Sequence, residues 1–304
     1  MYFAINIPMS TLSAKIVHEF KEMRAAHVGL PMHLFALVDC AFDEEFLDYR
    51  YPLTFPPQSL YDNTVLQQFG TAAPHLLKSP ADDEESLAWL TYLFSRCGNK
   101  PMLSIIASPV TADELGRHMR PYLIARTPDT VEWPVRWGDT RVLPVLLGTL
   151  TESQRVHFLG PVGRWWSPAR DGGLLRWDGA RRMPADAAFD KLPLSDEAFG
   201  SLVDAAEADA VLAQIEDTQP DVLRRMGPCE CHDTVRRHLI LASANGIDSA
   251  GARRHFSVMA LVLREGFSEH PEIAQLLQQT RAGADYGTQM GLLSPEFWLA
   301  TATS

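Results

Sequence analysis

Hydrophobic residues in this chain follow two different periods, and the change falls near residue 180. Before it, Met32–Val38 and Met102–Ala107 are near-continuous apolar runs, the pattern of strands covered on both faces. Helical stretches alternate with them, which predicts an α/β layer with a partly parallel sheet. After it, apolar residues recur with helical spacing. Ser195 caps a helix to Asp217; later helices over Asp233–Ala244, Ser249–Glu265 and Pro271–Ala282 are each closed by a glycine, Gly246, Gly266 and Gly283. Residues 179–193, rich in Gly, Pro, Asp and Arg and without period, separate the two patterns. The expected fold is an α/β N-terminal lobe with a mixed sheet over residues 1–178, a linker over 179–193 and an all-helical C-terminal lobe over 194–304.

Local signals fill in the first lobe. Ser10 or Ser13 can cap a helix reaching His27, with Ile16, Val17, Phe20 and Met23 on one face and His18 and His27 on its wetter side. Asp39 ends the first buried run, where it suits a cap for a helix over Asp43–Tyr49 or a functional carboxylate. Residues 51–60 are proline-rich and predict a loop. The acidic run Asp82–Glu85 precedes a helix over Ser86–Arg96, where negative charge complements the helix dipole. Thr111-Ala-Asp-Glu114 is a capping box that starts a helix over Ala112–Arg120.

The stretch Val131–Trp166 holds four of the seven tryptophans. Alternation over Val131–Trp137 predicts a half-buried strand, and Pro134 places it at a sheet edge or bulge. Gly138-Asp139-Thr140 turns the chain, and Asp139 or Thr140 can cap a helix over Arg141–Leu150. Gln154–Leu159 then looks extended, stopping at Gly160-Pro161. Leu174–Trp177 predicts a last short strand.

Net charge is −11, and residues 191–304, little more than a third of the chain, carry the larger share of it. An acidic chain repels phosphate backbones, so nucleic acid is not an expected partner. Four cysteines (Cys40, Cys97, Cys229, Cys231) are too few for a disulfide framework at this length. No stretch has secretory order or the ~18–20 apolar residues of a membrane span, and the expected location is the cytoplasm.

Few residues suggest chemistry. Cys229-Glu-Cys231-His232, with His238 beyond, offers soft zinc ligands, but C-x-C-H lacks the usual spacing, and a loop before a helix with small apolar fillers is the simpler reading. The nucleophile-elbow, phosphate-loop, dinucleotide and H-E-x-x-H motifs are absent. Ser108, His118 and Asp113 form no recognisable triad. A hydrolase-like site at strand ends near Asp39 and Ser108 is the competing enzyme reading. Arg136, Asp139 and Arg141 place one acid between two arginines, a pattern for a charge-assisted clamp that Arg120 could join, or for anion recognition at a helix start. Trp133, Trp137, Trp165 and Trp166 suit core and edge packing or the anchoring of a partner.

The segment W-P-V-R-W-G-D-T-R-V-L-P-V-L-L, followed by H-F-L-G-P-V and a tryptophan pair, resembles the family of type VI secretion effector adaptors (chaperones). The family form is roughly F-R-x-Y-D-P-R-V-L, then F-x-G-P and a Trp. Arg136, Asp139, Arg141, Val142 and Leu143 match, as do Gly160, Pro161 and Trp165, while Thr140 stands where the family has Pro. Leu34–Asp39, Ser59-Leu60-Tyr61, Ala73-Pro74-His75-Leu76-Leu77, and Ile105–Met119 with His118 and Arg120 match further blocks in order, so the resemblance spans Met32–Trp177. It implies a non-catalytic adaptor without a cofactor that binds one toxic effector and helps load it onto the spike protein (VgrG), with no nucleic acid or membrane partner. It also implies structural or partner-binding roles for Asp39, Tyr61, Pro74, His118, Arg120, Arg136, Asp139, Arg141, Gly160, Pro161 and Trp165.

Overall fold

In chain order the elements are α1 (Leu12–Ala26), β1 (His33–Asp39), β2 (Gln58–Ser59), β3 (Pro74–Lys78), α2 (Asp83–Cys97), β4 (Leu103–Ser108), α3 (Ala112–Met119), β5 (Ile124–Arg126), β6 (Glu132–Pro134), α4 (Leu143–Thr149), α5 (Glu152–Phe158), β7 (Arg164–Pro168), β8 (Leu174–Asp178), β9 (Leu192–Pro193), α6 (Asp196–Thr218), α7 (Pro220–Leu223), α8 (Pro228–Ala244), α9 (Ala250–Leu263), α10 (Pro271–Arg281), α11 (Tyr286–Met290) and α12 (Pro295–Ala302). These come from a computed structural model, which describes residues 2–48, 55–263 and 266–302. Tyr49 of the expected 43–49 helix, residues 51–54 of the proline-rich loop, and Glu265 lie outside the described residues.

An α/β region is followed by a helical one, as expected. The chain divides into two compact units, Ile5–Ala205 and Met1–Ala4 with Ala206–Ser304. The division falls inside α6, not at residues 179–193. That expected linker is bonded to the α/β unit: Arg181 and Arg182 amides donate to the Val162 and Gly160 carbonyls at 3.1 and 2.9 Å, His157 Nε2 meets the Ala185 carbonyl at 2.7 Å, and β9 pairs with β5. Each bond goes to a different neighbour, so the segment has no period of its own.

The α/β unit is built on a six-stranded sheet of order β2-β3-β1-β4-β7-β8. Every neighbouring pair is antiparallel. The parallel pairing expected from strand–helix alternation is confined to β5 and β9, in a second, mixed sheet of order β6-β5-β9. Helices cover both faces of the large sheet. Leu34, Ala36 and Val38 of β1, with Leu103, Ile105 and Ala107 of β4 and Trp166 of β7, pack against Ile16, Val17 and Phe20 of α1 and Trp89, Leu90 and Leu93 of α2. On the other face Phe35, Leu37, Ile106 and Trp165 pack against α3, α4 and α5. The period of two in a strand sends Trp165 and Trp166 to opposite layers, and both are 1% exposed or less.

Several local expectations change. Val131–Trp137 pairs only over β6, at a sheet edge as Pro134 requires; Val131 and Trp133 are 43% and 45% exposed. Gln154–Leu159 is not extended: it lies in α5, started by a Thr151–Gln154 capping box, a local signal that outweighs the β-branched and aromatic residues there. The Arg141–Leu150 helix begins at Leu143, capped by neither Asp139 nor Thr140. Helix α1 has Thr11 at its cap position, without a side-chain bond, rather than Ser10 or Ser13. Short 3-10 turns at Cys40–Phe42 and Phe46–Asp48 replace the 43–49 helix. The Thr111–Glu114 capping box forms as read, whereas the acidic run does not precede its helix but starts it, with Asp82 at the cap position and Asp83, Glu84 and Glu85 in the first turn of α2.

In the helical unit the second half of α6 with α7, α8 and α9 encloses one apolar cluster, and α8 to α12 a second around Phe256, Ile273 and Phe297. Gly246 and Gly283 stop their helices with φ of 76° and 98°, values that favour a residue without a Cβ.

Candidate functional site

The family-like residues gather at one end of the large sheet, where β1 runs out. Asp39 is 1% exposed. Its Oδ1 accepts from the Ala41 amide at 3.2 Å, and its Oδ2 from Arg136 Nε at 3.0 Å. The chain from Val135 to Val142 lies across this strand end. Val135 donates to the Leu123 carbonyl at 2.9 Å, Thr140 to that of Pro101 at 2.9 Å, and Trp137 Nε1 to that of Tyr122 at 2.8 Å. Gly138 makes the approach possible: a Cβ there would sit 2.7 Å from Asp39 Cβ and 3.3 Å from its backbone nitrogen.

Asp139 forms its own pair. Its two oxygens accept from Arg141 Nε at 3.1 Å and Nη2 at 2.8 Å, and Oδ1 also takes the Arg141 amide at 3.0 Å. The expected triple clamp is therefore two pairs, Arg136–Asp39 and Arg141–Asp139, joined by the Phe42 ring, whose centre lies 4.2 Å from the Arg136 guanidinium carbon and 5.5 Å from that of Arg141. Burial pushes the Asp39 carboxyl up, against the charge and hydrogen bond of Arg136, which pull it down; the Asp139 charge adds to the rise. Each arginine has a carboxylate partner, and the Arg136–Asp39 pair ties the end of β1 to the segment before α4.

Tyr61 and Pro74 belong to the same centre. Burial and the Asp39 charge push the Tyr61 phenol up to about 12, with Arg136 opposing. Pro74 faces Asp39 in the β1–β3 register. Arg120 does not join: its Nη2 reaches the Asp62 carbonyl at 3.5 Å. His118, Gly160, Pro161 and Trp165 form a second, interior group. His118 Nε2 meets the Phe158 carbonyl at 3.0 Å, and burial holds its pKa down. The Pro161 carbonyl accepts from Ser108 Oγ at 2.6 Å, Trp165 Nε1 donates to Ser104 Oγ at 2.9 Å, and Gly160 is crowded by Pro184.

The enzyme reading put Asp39 and Ser108 at one end of a parallel arrangement. The antiparallel register instead sets Ser108 opposite His33, six residues and roughly 20 Å along β1 from Asp39. Ser108 is fully buried and bonded to Pro161, while Asp113 pairs with Arg117 at 3.1 Å on the surface, so no triad forms with His118. Cys229–His232 is not a loop but the first turn of α8. At 100° per residue Cys229 and Cys231 point to nearly opposite sides: Cys231 faces the core, and Cys229 lies 3.9 Å from Asp233. Among the described residues no group of three His, Cys, Asp or Glu side chains is placed to hold a metal ion, and no helix is long and apolar enough to cross a membrane.

A second fastening was not foreseen. Glu19 of α1 accepts from Arg176 Nη2 at 2.7 Å, Arg164 Nη1 at 3.2 Å and Trp166 Nε1 at 2.8 Å. Burial alone would raise its carboxyl, but the hydrogen bonds from Arg176 and Trp166, with the Arg176 charge and the Arg164 bond, hold it down to about 2. Nothing in the sequence near Glu19 signals this, because every partner lies more than a hundred residues away. Of the tryptophans expected to pack, Trp137, Trp165 and Trp166 do so, whereas Trp133 remains half exposed against Phe199, ring centres 5.3 Å apart.

The geometry defines a two-unit α/β-plus-helical chain in which Asp39, Arg136, Asp139 and Arg141 pair within the first unit. Residues 34–157, from β1 into α5, match the family described as domain of unknown function (DUF4123), a domain associated with type VI secretion. No curated protein and no solved structure matches the chain.

Proposed function

We propose that this chain is a non-catalytic adaptor that binds a cognate type VI secretion effector in the cytoplasm and helps load it onto the spike protein (VgrG). The observation that carries this reading is the family match over residues 34–157, which covers the blocks resembling the effector adaptors from Leu34 through Arg141–Leu143, the Gly160-Pro161 block and the tryptophan pair lying beyond it. The geometry supports it from a second side: the motif residues Asp39, Arg136, Asp139 and Arg141 hold segments together, as a binding scaffold requires, and the two residues of the hydrolase reading are at opposite strand ends. Exposed aromatic and aliphatic side chains, Trp133 in β6 with Val131 just before it, and Val65 and Phe69 before β3, supply the kind of surface that anchors a protein partner.

The test uses the full chain, tagged, co-expressed with the products of genes flanking its own. The adaptor reading expects stable co-purification with a large neighbouring gene product, and loss of that product from the culture supernatant when the adaptor gene is deleted, with the secretion apparatus still firing. Wild-type secretion of every neighbouring product in the deletion strain would sink it.

A further inference from the structure

Residues 2–4 are built into the helical unit, although more than two hundred residues separate them in sequence. They have no regular secondary structure. Ala4 is 1% exposed and belongs to the apolar cluster that includes Val211 and Ile215 of α6, Leu223 of α7, Val235 of α8 and Leu261 of α9. Tyr2 packs against the same cluster. Its hydroxyl is buried, and burial, followed by the nearby Cys231 thiol, pushes the phenol pKa up. Cys231 in turn donates to the Leu223 carbonyl, 3.8 Å away, and is fully buried. The aromatic residue and the small one two positions on both pack into the cluster formed by α6, α7, α8 and α9.

We propose that residues 2–4 are an intramolecular plug for the helical unit, an aromatic-x-small peptide seated in a groove of α6–α9 that completes its core, shields Cys231 and can be supplied in trans by a separate peptide. The cysteine motif then has a role without a metal: Cys231 is part of the floor of the groove, small enough to leave room for the Tyr2 ring. The inference is independent of the proposed function, since it concerns only how this unit is closed.

Thiol labelling of the full chain tests it, read peptide by peptide by mass spectrometry. Deleting Tyr2–Ala4 should speed the reaction of Cys231 with a maleimide by about tenfold or more, as expected when a protecting segment is removed. Cys40 and Cys97, buried in the other unit, should stay slow. A synthetic peptide of residues 1–7 should slow Cys231 again, and the same peptide carrying Ala4→Asp should not. The point variant Ala4→Asp in the full chain is read alongside, so that global unfolding of the deletion, reported by Cys40 and Cys97, leaves the outcome readable. Cys231 as protected in both variants as in the parent, or a peptide with no effect, overturns the plug. So does protection of the parent that falls on dilution, because the segment would then be exchanged between copies.

Discussion

Arg136 reaches past its near neighbour Asp139 and donates Nε to Oδ2 of Asp39, 97 residues earlier, at 3.0 Å. Asp139 is left to Arg141 alone. The two ion pairs therefore act on different joints: one ties the end of β1 to the crossing segment, the other stiffens the turn that leads into α4. Phe42, between the two guanidinium groups, makes them neighbours.

Asp139→Ala should destabilise the α/β unit by about 3–5 kcal/mol, the range for removing one partner of a buried ion pair, because Asp139 is 2% exposed and accepts both the side chain and the amide of the mostly buried Arg141. Arg120→Ala, outside both pairs, should stay within about 0.5 kcal/mol of the parent. Urea unfolding of the two variants decides; equal midpoints would remove the clamp.

Gly138→Ala and Gly148→Ala should move stability in opposite directions. A Cβ on Gly138 meets Asp39, whose amide is held by the Met102 carbonyl at 2.8 Å and cannot retreat, so the cost should be about 1–3 kcal/mol. Gly148 lies inside α4 with nothing within 4 Å of a new Cβ, and alanine there should gain about 0.5–1 kcal/mol. Thermal melts of both variants give the comparison.

Glu19→Gln should show its effect through pH. The folded carboxyl, held down to about 2, sits below its ordinary value of 4.5, so the stability it contributes is present above about pH 5 and lost as pH falls toward 2. At pH 7 the variant should be less stable by about 1–2 kcal/mol, allowing for solvent screening of the partly exposed arginines. That gap should narrow at pH 3. A gap that stays constant with pH would mean that Glu19 acts through packing rather than charge.

The complex with the effector should survive high salt. Raising ionic strength from ~0.1 to ~1 M shortens the Debye length from ~10 to ~3 Å, which should slow association by removing steering from the acidic residues after 190. Dissociation should change little if apolar and aromatic surface holds the partner. Stopped-flow or surface-binding kinetics at the two salt concentrations separate the rates; a complex that falls apart at ~1 M salt would give the charge the larger role.

The elements were most legible where a local signal fixed them. The buried runs of β1 and β4, the Thr111–Glu114 box and the glycine stops at Gly246 and Gly283 all depend on residues within one turn or one strand. What sequence could not convey was which strand lies beside which. Apolar runs alternating with helices suit a parallel sheet as well as an antiparallel one, and the choice moved Ser108 to the far end from Asp39. The Arg136–Asp39 and Glu19–Arg176 pairs were hidden for the same reason, since charge pattern shows partners only within a few residues. The Thr151–Gln154 box was present and local, and it would have corrected the extended reading of 154–159.

The seat of Tyr2 and Ala4 among α6–α9 also sets an order on biosynthesis. These residues leave the ribosome some two hundred residues before α6–α9, which supply their partners. The loop they must close spans some two hundred residues, yet each doubling of loop length adds only about 0.6 kcal/mol, so the delay is one of timing more than of energy. Until α9 emerges, a stretch containing Tyr2, Phe3 and Ala4 has no helical groove to enter, and the α/β unit from Ile5 onward can collapse first. The contact that closes this cluster would then join segments synthesised some two hundred residues apart.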